Sequence, residues 1–221
     1  MSRLVVKVGG AVADRSAAAV LELARENEVC VVHGAGPQIS VEMERAGIPV
    51  EFVDGRRITS PEALAIVQAS LVVVNAALVA AIGERAASLF GDDIGLELAP
   101  VPVRGLGLVG EARPSALPAV RAALAAGKIA VVAPRGALNV NADDAAAAIA
   151  IGIEADELLF LTDVDGLILD GEVVGSIGVD AAAELLAGGS LRGGIIPKLG
   201  AAVTAARGGV RASIGQTAVA A

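Results

Sequence analysis

The sequence predicts an α/β protein built on a largely parallel sheet. Three observations predict it. Leu4–Val8, Val29–His33, Ile129–Ala133 and Leu158–Thr162 are short runs that stay apolar instead of alternating, the pattern of strands buried on both faces. Segments with helical spacing separate these runs, so successive strands need crossovers and run parallel. Of the 221 residues, 55% are hydrophobic and 19% charged, with mean hydropathy +0.70. Such a chain is not disordered, and it can bury a full core without metal or disulfide staples.

Leu4–Val8 ends in Gly9-Gly10 and reads as the first strand. Ser16–Glu26 has the Ala, Val and Leu spacing of a helix. Val29–His33 is the second strand, followed by Gly34-Ala35-Gly36-Pro37 and a helix to about Ala46. Ile48–Asp54 reads as a strand turning at Gly55. Ser60-Pro61-Glu62 opens a helix, with Ser60 as N-cap and proline in the first turn. Leu96–Val103 and Leu108–Ala112 read as strands of a meander. Ser115 is the expected cap of a helix running to Gly127, and Ile129–Ala133 follows as a strand. Asn139 to Asp143 lead into an alanine-rich helix ending near Gly152. Leu158–Thr162 is the next strand, and Asp170-Gly171 marks a hairpin between Leu167–Leu169 and Glu172–Ile177. Asp180–Ala187 and Ile195–Arg207 read as helices, with short strands at Val210–Ala212 and Thr217–Ala220. If there are two lobes, the seam lies near Pro134–Leu138.

Composition excludes several function classes. The net charge of −8 removes the basic footprint that duplex binding needs, and three phenylalanines with no Trp or Tyr leave no stacking platform for single strands. Nucleic acid is therefore not an expected partner. One cysteine, Cys30, permits no internal disulfide, and one histidine, His33, permits no multi-histidine metal site. Ala63 to Gly83 carries no formal charge, but Gln68, Ser70, Asn75 and many alanines mark it as a buried helix and not a membrane span. No secretory leader is evident at Met1–Val6, so a soluble cytoplasmic protein is expected. The chain holds 14 arginines but only three lysines, Lys7, Lys128 and Lys198. Lysine is a compact point charge where arginine is a wide fork, and Lys7 and Lys198 both stand near paired glycines.

Several constellations could carry chemistry. Val6-Lys7-Val8-Gly9-Gly10 and His33-Gly34-Ala35-Gly36-Pro37 are strand–glycine–helix turns that a parallel sheet places at its carboxyl edge, where ligands bind. Their N–H groups and helix N-termini suit anions, although tight packing explains such glycines equally well, and neither matches a Walker A or a G-x-G-x-x-G loop. Asp143 is open between ordinary N-capping and a carboxylate that holds lysines near a phosphoryl group. Lys198, in Gly193-Gly194-Ile195-Ile196-Pro197-Lys198, is open between a solvated helix lysine and a cation on that group. Arg56 and Arg57 form either surface salt bridges or a carboxylate clamp. Thr162-Asp163-Val164-Asp165-Gly166 is either an acidic turn or a nucleotide-recognising strand end. His33 and Cys30 read as structural groups.

Taken together these stretches resemble the amino-acid kinase family, in the branch acting on N-acetyl-L-glutamate. The resemblance runs in order over nearly the whole chain. It includes Val32-His33-Gly34-Ala35-Gly36-Pro37-Gln38, Phe52 to Thr59, Val74-Asn75, Asn139-Val140-Asn141-Ala142-Asp143, Leu161 to Gly166 and Gly193 to Lys198. It implies a three-layer α/β/α sandwich. Residues 1–136 would form the lobe that binds the amino acid and dimerises, and residues 137–221 the ATP lobe. Lys7 and Lys198 would stabilise the transferring phosphoryl group, with Asp143 orienting both. Gly34, Ala35, Gly36, Arg57 and Asn139 would hold the substrate. Gly9 and Gly10, Asp163, Val164, Asp165, Gly166, Leu167 and Ile168, and Ser190, Leu191 and Arg192 would serve ATP. The substrate's γ-carboxylate would attack the γ-phosphate of Mg²⁺-ATP in line, giving an acyl phosphate for arginine biosynthesis, with no protein nucleophile and no protein-held metal. The alternatives are a sister kinase for another acidic amino acid, such as carrier-linked aminoadipate or glutamate, and a non-catalytic relative that senses nucleotide or amino acid.

Four departures from the family pattern stand out. Ala35 replaces the middle glycine of the second loop, where a methyl would crowd the substrate if φ were positive. Ala76 replaces the lysine usual after Val74-Asn75. The segment before Asn139 is short. The tail after Ala212 is short too, so either one edge of the ATP lobe is incomplete or Ile214 to Val219 is its terminal strand. Lys7 stands too near Met1 for the N-terminal helix of the family's arginine-inhibited hexamers, so the expectation is an arginine-insensitive homodimer.

Overall fold

A computed structural model describes residues 1–9, 13–53, 55–162 and 165–220, with side chains from residue 16 onward in the second of these stretches. Eight strands form one sheet. They are β1 (Ser2–Val8), β2 (Asn27–His33), β3 (Ala86–Phe90), β4 (Ile129–Ala133), β5 (Glu157–Leu161), β6 (Ser176–Gly178), β7 (Arg211–Ile214) and β8 (Thr217–Ala220). Their spatial order is β6-β8-β7-β5-β1-β2-β4-β3. Every pair is parallel except β7 with β8. The helices are α1 (Ala13–Leu23), α2 (Gly36–Arg45), α3 (Pro61–Ile82), α4 (Gly91–Ile94), α5 (Pro118–Ala125), α6 (Ala142–Gly152), α7 (Val179–Ala187) and α8 (Ile195–Arg207).

Alternation along β1 divides the core. Leu4, Val6 and Val8 pack with Val20 of α1, Ile39 and Met43 of α2, and Val67, Leu71, Val74 and Leu78 of α3. Val5 points the other way, into a cluster with the buried alanines of α6, Leu199 to Ala206 of α8, and Leu124 of α5. The result is the expected α/β/α sandwich, because continuously apolar strands need a helical layer on each face. Lys7 shares the parity of Val5, so the strand delivers its side chain to the α6/α8 face. The sheet crosses the expected seam without a break, since β5 pairs with β1.

Several sequence expectations shift. Asn27–His33, Gly36–Arg45 and Ile129–Ala133 fall where expected, and Ser60 caps α3 by accepting from the Ala63 N–H. Ile48–Asp54 shrinks to Phe52–Val53, which pairs antiparallel with Arg56–Arg57; Asp54 lies outside the described residues. The expected meander is Glu97–Pro100 against Val109–Arg113, and Asn139–Val140 adds to it in parallel. Ser115 does not cap α5. Leu117 occupies that position without a side-chain bond, because Pro118 sets the first turn and Ser115 packs against Gly152. Asp170 and Gly171, at φ 52 and 85, turn the Ile168–Leu169/Glu172–Val173 hairpin, while Ser176–Gly178 separates from it to join the main sheet. The tail supplies the terminal strand β8, which lies between β7 and β6. Edge strand β3 went unread. It is only part-buried and carries exposed Ser88 at its centre, so it lacks the apolar run that marks the inner strands.

Ala63 to Gly83 forms most of one long helix, and Pro61–Arg85 is long and apolar enough to cross a membrane. Its inner face, Ala63 to Ile82 at helical spacing, is instead packed on the sheet.

Candidate active site

Lys7, Asp143 and Lys198 meet at the carboxyl edge of the sheet. The Lys7 ammonium lies 2.6 Å from Asp143 Oδ1, and the Lys198 ammonium 3.6 Å from Oδ2 of the same carboxylate. Each residue comes from a different element. Lys7 is near the end of β1, Asp143 in the first turn of α6, and Lys198 in the first turn of α8. Asn141 caps α6 by accepting from the Asp143 N–H at 2.8 Å, so capping and charge binding occur side by side. Lys7 is only 6% exposed and Asp143 4%. Burial holds the Lys7 ammonium below the usual lysine range, opposed by the Asp143 carboxylate and reinforced by the Lys198 charge.

The cluster borders a cavity of about 360 Å³. Gly9, Gly34, Ala35, Gly36, Arg57 and Asn139 line it, with Thr162 just after β5. Gly34 is tightly packed, because a Cβ would come to 3.2 Å of the Ala142 methyl at the start of α6 and one of them would have to give by a few tenths of an ångström. Ala35 sits at φ −138, within the range of any residue, so its methyl costs the loop no backbone strain. The Arg57 guanidinium donates to Gly36 O at 3.2 Å and Ser40 Oγ at 2.9 Å, touches Met43 Sδ, and lies 4.7 Å from the Phe52 ring centroid. Among the described residues no carboxylate pairs with it, and burial lowers its pKa. A buried cation held by neutral groups beside an open cavity is a place for an incoming carboxylate. Asn139 donates to Thr59 Oγ1 at 2.9 Å, and Thr59 donates to Arg57 O at 2.8 Å, which ties Asn139 to the arginine's own backbone.

Arg56 also borders the cavity, but it pairs with Glu111 at 2.7 Å and Asp144 at 3.7 Å, the ion-pair reading that the sequence left open. Burial raises the Asp144 carboxyl to about 6, against the pull of Arg56. His33 is fully buried. Its Nε2 accepts from Asn75 at 3.1 Å, and burial lowers it to about 4, so it is neutral and structural. Cys30 is buried in β2, and burial pushes its thiol up to about 12.

The stretches expected to serve ATP are only partly described. Gly10, Asp163 and Val164 are outside the described residues. Asp165, Gly166 and Ile168 follow β5, with Ile168 54% exposed and Asp165 O accepting from the Gln216 N–H. Leu167 differs from its neighbours. Its side chain is buried in the core and its N–H donates to Thr217 Oγ1, so the turn uses it as an anchor. Ser190, Leu191 and Arg192 form the loop between α7 and α8, where Arg192 donates to Gly189 O and Leu191 O. Residues 165–168 and 190–192 do not line the 360 Å³ cavity. Sequence reasoning passed over Ser40 and Met43, which fix Arg57, because hydroxyl and thioether partners carry no motif.

Comparison with known proteins fits this arrangement. The model of the Amino acid kinase family matches residues 2–216. An acetylglutamate kinase from Rubrobacter xylanophilus is 40% identical over 225 residues, covering 97% of this chain and 88% of the relative. An acetylglutamate kinase from Geobacillus kaustophilus is 37% identical over 218 residues, covering 91% and 84%. The crystal structure of smu.665 from Streptococcus mutans UA159 superposes with TM-score 0.88 at 24% identity, covering 99% of this chain and 98% of that one.

Proposed function

The chain belongs to the amino acid kinase family, and we propose that it transfers the γ-phosphoryl group of ATP to the γ-carboxylate of N-acetyl-L-glutamate, a step of arginine biosynthesis. The observation that carries this reading is the shared Asp143 carboxylate between two lysines, which line one cavity together with a buried arginine that has no carboxylate partner among the described residues. Both of the chain's similar kinases bear that activity in their names.

The residues divide the work. Arg57 takes the α-carboxylate of the substrate, with Asn139 at its acetamido end. That leaves the γ-carboxylate pointing toward Lys7 and Lys198. The Gly9 and Gly34 loops offer backbone N–H groups to the transferring phosphoryl group, and the two ammonium groups neutralise the charge that builds on its oxygens. Asp143 keeps both lysines at fixed positions and lowers the cost of burying Lys7. The substrate carboxylate is its own nucleophile, so no general base is needed, and catalysis consists of positioning and charge neutralisation. Residues 1–136 hold the amino acid and residues 137–221 the nucleotide, which lies along Asp163 to Gly166, Ile168 and Ser190 to Arg192.

Among the described residues no three or more His, Cys, Asp or Glu side chains gather to hold a metal. On the proposed reading magnesium enters with the triphosphate, where it neutralises phosphate charge.

A cytoplasmic homodimer completes the proposal. The outer face of α3 presents exposed Ala69, Val72, Val73, Ala76, Ala77 and Ala80, and β3 beside it is a sheet edge with one unpaired side. An uncharged helix face next to an open strand edge suits a second copy of the chain.

ATP consumption is to be measured against free and N-acetylated acidic amino acids, with hydroxylamine trapping the acyl phosphate as a hydroxamate. Turnover and hydroxamate with N-acetyl-L-glutamate are expected. Turnover with glutamate or aminoadipate alone would make the protein a sister kinase, and ligand binding without turnover would make it non-catalytic.

A further inference from the structure

We propose that Arg56 is a positioning residue whose ion pairs with Glu111 and Asp144 lash the Phe52/Arg57 hairpin to the first turn of α6 and so hold Arg57 over the cavity. The activity arm of this proposal rests on the kinase reading above.

Two pairs of sequence neighbours carry it. Arg56 and Arg57 are consecutive in a strand, so they leave it on opposite faces. Both arginines line the 360 Å³ cavity, and Arg56 also lines a second cavity of about 310 Å³ together with Glu111, Asp144 and Thr204. Asp143 and Asp144 are consecutive at the start of α6 and diverge by a helical step. Asp143 faces the lysines, and Asp144 faces Arg56. The substrate clamp and the lysine-holding carboxylate thus have their backs joined by one ion-pair cluster.

The hairpin's other ties run through Arg57, to Gly36 O, Ser40 Oγ and Met43 Sδ, and through the Ile58 N–H, which donates to Glu51 O. Its strands are two residues each and pair with one another, and Phe52 and Val53 are 54% and 38% exposed. Its base is pinned separately, where the Thr59 N–H donates to Leu106 O and the Leu108 N–H to Thr59 O. Arg56 Nη1 is buried with no hydrogen-bond partner among the described residues, so the burial of this guanidinium is supported by Glu111 and Asp144. Removing the cation leaves two carboxylates facing each other and takes away the tie.

The test compares wild type with Arg56→Met, Arg56→Lys and Glu111→Gln. Amide hydrogen exchange of Phe52, Val53, Arg56 and Arg57 should rise about tenfold in Arg56→Met and Glu111→Gln, with β1 and α6 unchanged. KM for N-acetyl-L-glutamate should rise about tenfold while KM for ATP and kcat move less than about threefold, and Arg56→Lys should recover most of the loss. Unchanged exchange in the hairpin, or a fall in kcat with KM unmoved, would overturn the assignment. If Arg56→Met fails to fold, Glu111→Gln carries the same test with the guanidinium in place. If wild type does not phosphorylate N-acetyl-L-glutamate, the kinase reading fails while the exchange arm still decides whether Arg56 anchors the hairpin.

Discussion

At the scale of single residues, three buried charges, Lys7, Asp143 and Arg57, and the half-buried Lys198 set the chemistry open to this cavity. Lys7 and Asp143 lie out of water 2.6 Å apart, so each compensates the other. Lys198 is looser, 3.6 Å from the same carboxylate and with a more exposed side chain. Its charge is free to be shared with a migrating phosphoryl group, so Lys198→Ala should cost about 10²–10³ in kcat with little change in KM, measured by steady-state ATP consumption. Arg57 acts on binding instead. Arg57→Ala should raise KM for the acid substrate by about tenfold or more while kcat falls less, since a charge-assisted pair to the bound carboxylate is lost in ground and transition states alike. His33 titrates stability. Its folded pKa of about 4 lies below the unfolded 6.5, so the unfolded chain binds the extra proton and stability is lost as pH falls from 6.5 toward 4. Asp144, raised to about 6, works in the opposite direction between about pH 4 and 6. The difference between wild type and His33→Gln isolates the histidine. From pH 7 to pH 5 it should move in the variant's favour by about 2 kcal/mol, read by denaturant unfolding at the two pH values.

At the scale of elements, helix starts do the positioning. α6 is almost all alanine between Asp144 and Ile149, and these small side chains let it lie close to both β1 and α8. That proximity brings Asp143 between lysines from the two neighbours. α3 begins with Ser60 accepting from the Ala63 N–H at 3.2 Å and with proline in its first turn. Ser60→Ala should cost about 1 kcal/mol in chemical denaturation, with kcat retained, because the cap lies at the base of the hairpin and not on the lysines. Gly107 shows why the loop beside it must be glycine. At φ 74 it faces Thr59, and a Cβ there would come to 2.2 Å of the Thr59 carbonyl. The Arg57 to Thr59 segment is thus held by backbone bridging, and Arg56 has to secure the other end.

At the scale of the whole molecule, one sheet carries the site and also ends in an open edge. β3 has a partner only in β4, and α3 beside it shows Val73 at 65% exposure. If this face joins two copies, Val73→Asp should move the sedimentation coefficient from dimer to monomer and leave the Lys7–Asp143–Lys198 cluster intact, since α3 meets the sheet on its opposite face. A monomeric wild type would remove the dimer from the proposal.

Much of this was legible in the chain itself. Inner strands declare themselves because both faces are buried and every position is apolar, as in Val29–His33. Ser60-Pro61 announced a helix start because capping is local chemistry. The lysines drew notice because arginine replaces lysine almost everywhere else. Edge strand β3 was silent because one side is unpaired and its burial is partial, and Ser115 misled because tertiary packing against Gly152 outweighed its capping preference. By itself the sequence determined the layered α/β class, the parallel sheet and the short list of candidate cations, since hydrophobic period and residue chemistry are local properties. Only the tertiary structure decided that Lys7 and Lys198 share one carboxylate, and that of the two cavity-lining arginines Arg56 is paired with Glu111 and Asp144 while Arg57 is held by neutral groups. Those assignments depend on strand parity and on which distant elements pack together, and burial, which fixes the worth of each charge, exists only in the folded chain.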